Sequence, residues 1–200
     1  MRVAVIGGGK IGGTIGRAWL AAGHDVDFGV RSPGKYDDLR AAGAGITVPV
    51  DAVRDAVAVL LAVPGAQVGP VLAEIGGQLG GTVVLDATNN LAEGEALNAR
   101  AAVAEAAPAA PYYRAFNITG WESFAAPVFP GGEQADLFYA GADGDSRPLV
   151  ETLVAAVGLR PVWVGDESQV EAVDGLTRLW FALALGRGLG RHTAFRLLTE

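Results

Sequence analysis

Val3-Ala4-Val5-Ile6-Gly7-Gly8-Gly9-Lys10-Ile11-Gly12 decides the fold of this chain. Four apolar residues in succession suit a strand buried on both faces. Gly7, Gly9 and Gly12 then set the spacing at which such a strand breaks into a helix. In that arrangement the first glycine makes the tight turn, the second lets the backbone approach a pyrophosphate, and the third lets helix and strand pack closely. The N–H groups left without acceptors at the helix N-terminus, together with the helix dipole, hold the anion. Glycine makes up 29 of 200 residues, so the spacing alone is weak. Its context, a strand before and a helix after, gives the motif its weight.

About twenty residues on, Arg31-Ser32 and Lys35 follow a second strand-like stretch, Asp25-Val26-Asp27-Phe28-Gly29-Val30. A carboxylate at that strand's tip would accept hydrogen bonds from a free ribose 2′-hydroxyl, whereas Arg, Ser and Lys suit a 2′-phosphate. Asp27 lies inside the strand rather than at its end. The expected cofactor is therefore NADP in preference to NAD.

Composition narrows the class further. The chain is 50% hydrophobic, enough for a sizeable core, and has no apolar run long enough to span a membrane. Met1-Arg2-Val3 enters a strand directly, so no signal peptide is expected. Cysteine is absent, which excludes disulfides, thiolate metal sites and a cysteine nucleophile. His24 and His192 are far apart in sequence, and no metal site is expected. The net charge of −7 argues against a nucleic-acid partner. A cytoplasmic protein fits all of this. Lys10 and Lys35 are the only lysines, and both fall in the expected cofactor site.

Alternating elements follow along the chain. Helical spacing covers Ile11 to Ala22, ended by Gly23. A short helix covers Asp37 to Ala42, a short strand Ile46 to Val48, and Asp51 is expected to cap another helical turn. Val57 to Val63 is an apolar run typical of a covered parallel strand, ended by Pro64. Gln67 to Ile75 reads as a helix, Thr82 to Asp86 as a strand and Ala87 to Asn90 as a loop. The alanine-rich stretch Glu95 to Ala107 reads as a helix, and a strand is expected around Arg114 to Phe116. Beyond it come a strand at Ala135 to Ala140, a helix at Ser146 to Val157 and a strand at Pro161 to Val164. Mostly helical pattern then runs from Ser168 to about Leu198, interrupted near Gly186-Arg187-Gly188-Leu189-Gly190. Phe129-Pro130-Gly131-Gly132 is the most obvious loop. The expected fold is α/β, a Rossmann-type doubly wound, mostly parallel sheet with a small C-terminal α/β extension ending in helices. Residues 1–117 form the expected dinucleotide-binding domain, and 118–200 a smaller part packed on it that completes the substrate pocket and dimer contacts.

In doubly wound sheets the cofactor lies across the carboxyl ends of the strands. Ala62, Val63 and Pro64 fall at such an end, so their backbone is expected at the ribose or nicotinamide. Asn89, after the next strand, has two readings: a hydrogen bond to the cofactor, or stabilisation of its own turn. Trp19 and Trp163 are expected in the core, whereas Trp121 and Trp180 suit the lining of an apolar pocket.

A third segment, Arg114-Ala115-Phe116-Asn117-Ile118-Thr119-Gly120-Trp121, ends a strand in a polar, glycine-containing loop. Taken with Gly7 to Gly12, Arg31, Lys35, Ala62-Val63-Pro64, Asp86-Ala87-Thr88-Asn89 and Gly158-Leu159-Arg160-Pro161, it makes the chain resemble the coenzyme F420-dependent NADP oxidoreductases. The resemblance covers nearly the whole chain. It departs from the family pattern at Asn117, where some members carry histidine, and at Asn90, where proline is frequent. What it implies is hydride transfer between NADPH and a deazaflavin, F420, stacked face to face. Positioning two planar rings supplies most of the acceleration in such a reaction, and no catalytic side chain is assigned. By the same resemblance Gly8, Gly9, Lys10 and Ile11 cradle the phosphates, and Arg31 and Lys35 hold the 2′-phosphate. Ala115, Phe116 and Asn117 border the nicotinamide, and the protein forms a homodimer.

Two other functions compete. One is NADPH-dependent reduction of a flavin or a small imine or carbonyl. Lysine-based ketone chemistry is disfavoured, because no lysine follows Lys35. The other is a non-catalytic NADP-binding regulatory module, which predicts cofactor binding without a second pocket beside the nicotinamide.

Overall fold

The computed structural model describes residues 1–200. Strand β1 (Arg2–Ile6) leads into helix α1 (Lys10–Ala21), and β2 (Asp25–Gly29) into α2 (Asp37–Ala41). They are followed by β3 (Gly45–Thr47), α3 (Pro49–Ala52), β4 (Ala58–Leu61), α4 (Val68–Ile75), β5 (Val83–Asp86), α5 (Arg100–Ala106) and β6 (Tyr112–Arg114). The remainder contributes α6 (Trp121–Ala125), a small hairpin of β7 (Val128–Phe129) and β8 (Glu133–Gln134), then β9 (Asp136–Gly141), α7 (Arg147–Ala156), β10 (Arg160–Gly165) and α8 (Val170–Phe181). The main sheet runs β10-β9-β6-β5-β4-β1-β2-β3. Its pairings are parallel except β6 with β9, so β9 and β10 run against the other six strands. This is the Rossmann-type, mostly parallel α/β fold.

The pattern of burial explains the central strands. All four residues of β4 and all four of β5 are buried, as are Val3 to Ile6 of β1. Strands covered by helices on both faces carry continuous apolar runs instead of alternation. β1 pairs with β2 on one side and β4 on the other, with Val5 opposite Phe28 and Leu60. The chain therefore winds first to one side of β1 and later to the other. That reversal leaves a crevice at the carboxyl ends of β1 and β4. The Gly7 N–H donates to Gly29 at 3.1 Å and the Ala62 N–H to Ile6 at 2.9 Å, which draws the three strand ends together there.

Several expectations need correction. Asp51 lies within the short helix α3 and does not cap it; Val48 is the capping residue. Residues 95–99 are not helical, and α5 begins only at Arg100. Buried polar partners claim the segment instead: the Ala99 N–H donates to Asp86 Oδ2 at 2.7 Å and Asn98 Nδ2 to Asp174 Oδ2 at 2.8 Å. β6 ends at Arg114 and does not reach Phe116, whose φ of 64° breaks the strand. That unusual conformation for a bulky residue inserts the Phe116 ring edge-on between Trp19 and Phe124, at centroid distances of 6.0 and 5.9 Å. Trp163 is only partly buried, while the expected loop at Phe129–Gly132 is the turn of the β7–β8 hairpin.

The C-terminal segment also departs from the expected helix. A π-helical turn, Ala182–Gly186, ends it, and the rest folds back as an extended strap. The carbonyl of Thr193 accepts from Trp180 Nε1 at 2.7 Å and from the Thr119 hydroxyl at 2.8 Å. Further along, the Asp136 N–H donates to the Phe195 carbonyl and the Leu197 N–H to the Asp136 carboxylate. These external partners outcompete the helix's internal ones. No helix is long and apolar enough to cross a membrane.

Candidate dinucleotide site

Two adjoining cavities occupy the crevice. The first, about 200 Å³, is lined by Gly7, Gly8, Gly9, Arg31, Tyr36 and Gln67 among others, with Ala62, Val63 and Pro64 forming one wall. The second, about 320 Å³, shares Gly9 and that wall and continues to Lys10, Ile11, Ala87 and Asn89. Most of the residues singled out from sequence therefore converge on one groove. Gly12, Ser32, Lys35, Ala115 and Asn117 line neither cavity.

The glycine turn has three different local demands. Gly7 has φ of 110°, and a side chain there would strike the Ala62 carbonyl. Gly12 is buried where α1 crosses β1, against Gly7, Val5 and Ala62. At Gly9, by contrast, a Cβ would meet nothing within 4 Å, so the open space lies on the cavity side of the chain. Gly9 caps α1 without any side-chain hydrogen bond, and the first turn carries no acidic residue. Helix N-termini leave their first N–H groups free, and here no carboxylate opposes an anion. A pyrophosphate fits this cradle.

Beyond β2, Arg31 reaches the first cavity, whereas Ser32 and Lys35 stand exposed on the adjoining 3₁₀ turn, Pro33–Lys35. Asp27 is occupied elsewhere, held by Arg2 at 2.9 Å. Tyr36, which sequence reasoning did not select, packs on Gly8 so closely that a Cβ on Gly8 would meet its ring at 2.5 Å. Its position directly after Lys35 in the same turn was the available signal. Lys10 turns the other way, its Nζ 5.2 Å from the centre of the partly buried Trp121 ring. Trp180 is buried, its indole N–H bound to the strap.

Beneath the second cavity lies a polar cluster that no local sequence pattern announces. Arg114 is fully buried. Its Nε donates to Asp174 Oδ1 at 2.7 Å, Nη1 to the carbonyls of Asp86 and Thr88, and Nη2 to Asn89 Oδ1 at 2.8 Å. Asn89 Nδ2 in turn donates to the Asn117 carbonyl at 3.1 Å. The Asn117 amide is oriented by its donors: with Oδ1 inward it accepts from Thr177 Oγ1 at 2.7 Å and from Arg114 Nε and Nη2 at 3.3 Å. Asn117 thus sits one layer behind Asn89. Asp86 closes the cluster, accepting from Thr88 and, at 2.7 Å, from the Tyr112 hydroxyl. Burial and the neighbouring Asp86 carboxylate push the Tyr112 phenol well above its ordinary range, which keeps it a donor.

Comparison with known proteins agrees with this geometry. Residues 2–90 match the family described as NADP oxidoreductase, coenzyme F420-dependent. No curated protein matches. Among solved structures, an Arthrobacter sp. FB24 protein assigned to the F420-dependent NADP reductases superposes with a TM-score of 0.86 at 20% identity, covering 100% of both chains. A hypothetical protein from Sinorhizobium meliloti gives 0.73 at 24% identity, covering 100% of this chain and 96% of that one. A pyrroline-5-carboxylate reductase from Coxiella burnetii gives 0.65 at 24%, covering 93% and 68%.

Proposed function

We propose that this chain, whose residues 2–90 match the coenzyme F420-dependent NADP oxidoreductase family, binds NADPH along the groove and serves its hydride transfer to a planar acceptor, a deazaflavin of the F420 type. The observation that carries the reading is the Gly9 opening between the two cavities, with Arg31 on one side and Asn89 on the other. When bound, the cofactor supplies a hydride from its dihydronicotinamide ring. The chain's own part is to bind and orient. The first turn of α1 offers N–H donors to the pyrophosphate. Arg31 offers its guanidinium to the 2′-phosphate, a geometry Arg suits well, with Ser32 and Lys35 adding polar contact and positive charge at the rim. The backbone of Ala62 to Pro64 forms the wall between the halves. Lys10, Ile11, Ala87 and Asn89 bound the nicotinamide half.

The test is to mix protein, NADPH and oxidised F420 and follow the deazaflavin absorbance. Bleaching with NADPH and not with NADH is the expected result. An unchanged spectrum removes the deazaflavin, and FMN, FAD and pyrroline-5-carboxylate are then tried as acceptors. The same reading extends to assembly as a homodimer. Its support is a set of exposed leucines, Leu179 on α8 with Leu185 and Leu189 just beyond it; clustered exposed apolar side chains mark association surfaces. Light scattering should give twice the chain mass, and a monomer mass overturns the dimer.

A further inference from the structure

We propose that Arg114 is the positioning residue of the nicotinamide half: it fixes Asn89, and with it the loop after β5, against the cavity that Lys10 and Ile11 face. This rests on the NADPH reading above. Replacing a buried ion pair with apolar packing is often neutral or stabilising, so a wholly buried arginine is poorly explained as a device for stability. Its contacts say what it serves instead. Apart from Asp174 and the more distant Asn117 amide oxygen, its donated hydrogen bonds go to the Asp86 and Thr88 carbonyls and the Asn89 side chain, all within four consecutive residues. That loop is the one that carries Ala87 and Asn89 to the cavity wall.

Each partner is itself anchored. Asp174 of α8 holds Arg114 Nε, and its second oxygen accepts from Asn98. Asn89 is gripped at both ends of its amide, by Arg114 and by the Asn117 carbonyl. One lone pair and one N–H of that amide are left for a ligand. A lysine at 114 would keep the charge between Asp86 and Asp174 but lose the planar fork that spans Asp174, the loop carbonyls and Asn89.

Two ligands separate positioning from general damage. NADPH occupies the whole groove, whereas 2′,5′-ADP carries only the adenosine half with its 2′-phosphate. In Asn89→Ala and Arg114→Lys the affinity for NADPH should fall about tenfold, and the fluorescence of the bound dihydronicotinamide should shift toward that of free NADPH. Affinity for 2′,5′-ADP should change less than about twofold, because no interaction there is lost. If Arg114→Lys does not fold, Asn89→Ala alone decides. Unchanged NADPH affinity and fluorescence in Asn89→Ala overturn the proposal, and so do equal losses for the two ligands. Wild-type protein that binds neither ligand removes the NADPH reading itself, and this assignment with it.

Discussion

Gly12 lies so close to Gly7 that a Cβ on Gly12 would overlap the Gly7 carbonyl oxygen. The two glycines hold α1 against β1, and Gly9 between them has a separate task. An alanine at Gly12 must push the helix off the strand, which costs about 1–3 kcal/mol for an overpacked site. An alanine at Gly9 meets open space and should cost stability only the ~1 kcal/mol or less of a poorer helix cap. It does, however, fill the space that a pyrophosphate needs. NADPH affinity should fall at least tenfold in Gly9→Ala while its melting temperature stays near wild type, and Gly12→Ala should melt earlier. Melting curves and NADPH titrations of both variants check this. Wild-type affinity in Gly9→Ala would mean that no phosphate approaches there.

Arg31 is the cation that lines the first cavity, and the carboxylate of Asp27 is tied to Arg2. Hydrogen bonds to charged groups contribute about 1.5–3 kcal/mol, and exposure of Arg31 to solvent favours the lower end. Arg31→Ala should therefore weaken NADPH about tenfold and leave NADH nearly unchanged. Raising the salt concentration should shrink the wild-type preference for the same reason. Equal wild-type affinities for NADPH and NADH sink the 2′-phosphate assignment.

The first half of the chain was largely legible because its strands are covered on both faces and each is ended by a local signal. Val3 to Ile6 and Val57 to Val63 read as apolar runs, and Gly7 and Pro64 mark where they stop. The cluster under Asn89 was not legible. Asp86, Arg114 and Asp174 are far apart in sequence, and only the β5–β6 pairing and the packing of α8 bring them together. The one local hint was a carboxylate at the end of an apolar strand with Thr88 two residues on, the spacing of a side chain that accepts from its own turn. Residues 95–99 and the strap beyond the expected break at Gly186–Gly190 failed for a related reason. Helical composition predicted helix, but Asp86, Asp174 and Asp136 offered those segments stronger partners through the fold.

Trp19 joins the first helix to the C-terminal part. It is fully buried on α1, and its Nε1 donates to the Leu153 carbonyl of α7 at 2.8 Å. Trp19→Phe keeps most of the apolar contact with Phe116 but deletes that donor and leaves a small void. A buried group left without its partner costs about 1–3 kcal/mol, which for a chain of this length lowers the melting temperature by roughly 2–4 °C per kcal/mol. The fall should appear in thermal unfolding with NADPH affinity little changed, since Trp19 lines neither cavity. A variant that melts at the wild-type temperature would show that this bond contributes nothing net.

Tyr112 is expected to set an alkaline limit on stability. Its phenol is held well above 10 by burial first and by the Asp86 carboxylate next, while in the unfolded chain it ionises near about 10. Between those two values the folded state holds a proton that the unfolded state has released, so stability falls as pH rises. The contribution is complete below about pH 10 and is lost progressively above it. Denaturant midpoints should thus be insensitive to this group up to about pH 9 and decline beyond. Tyr112→Phe removes the ionising group, so its midpoint should be lower at neutral pH, where Asp86 has lost a donor, yet fall less steeply in alkali. Absorbance at 295 nm should show Tyr112 ionising only as the wild-type protein unfolds. A parallel alkaline decline in wild type and Tyr112→Phe would assign the limit to Tyr113 and Tyr139, whose phenols are also raised by burial.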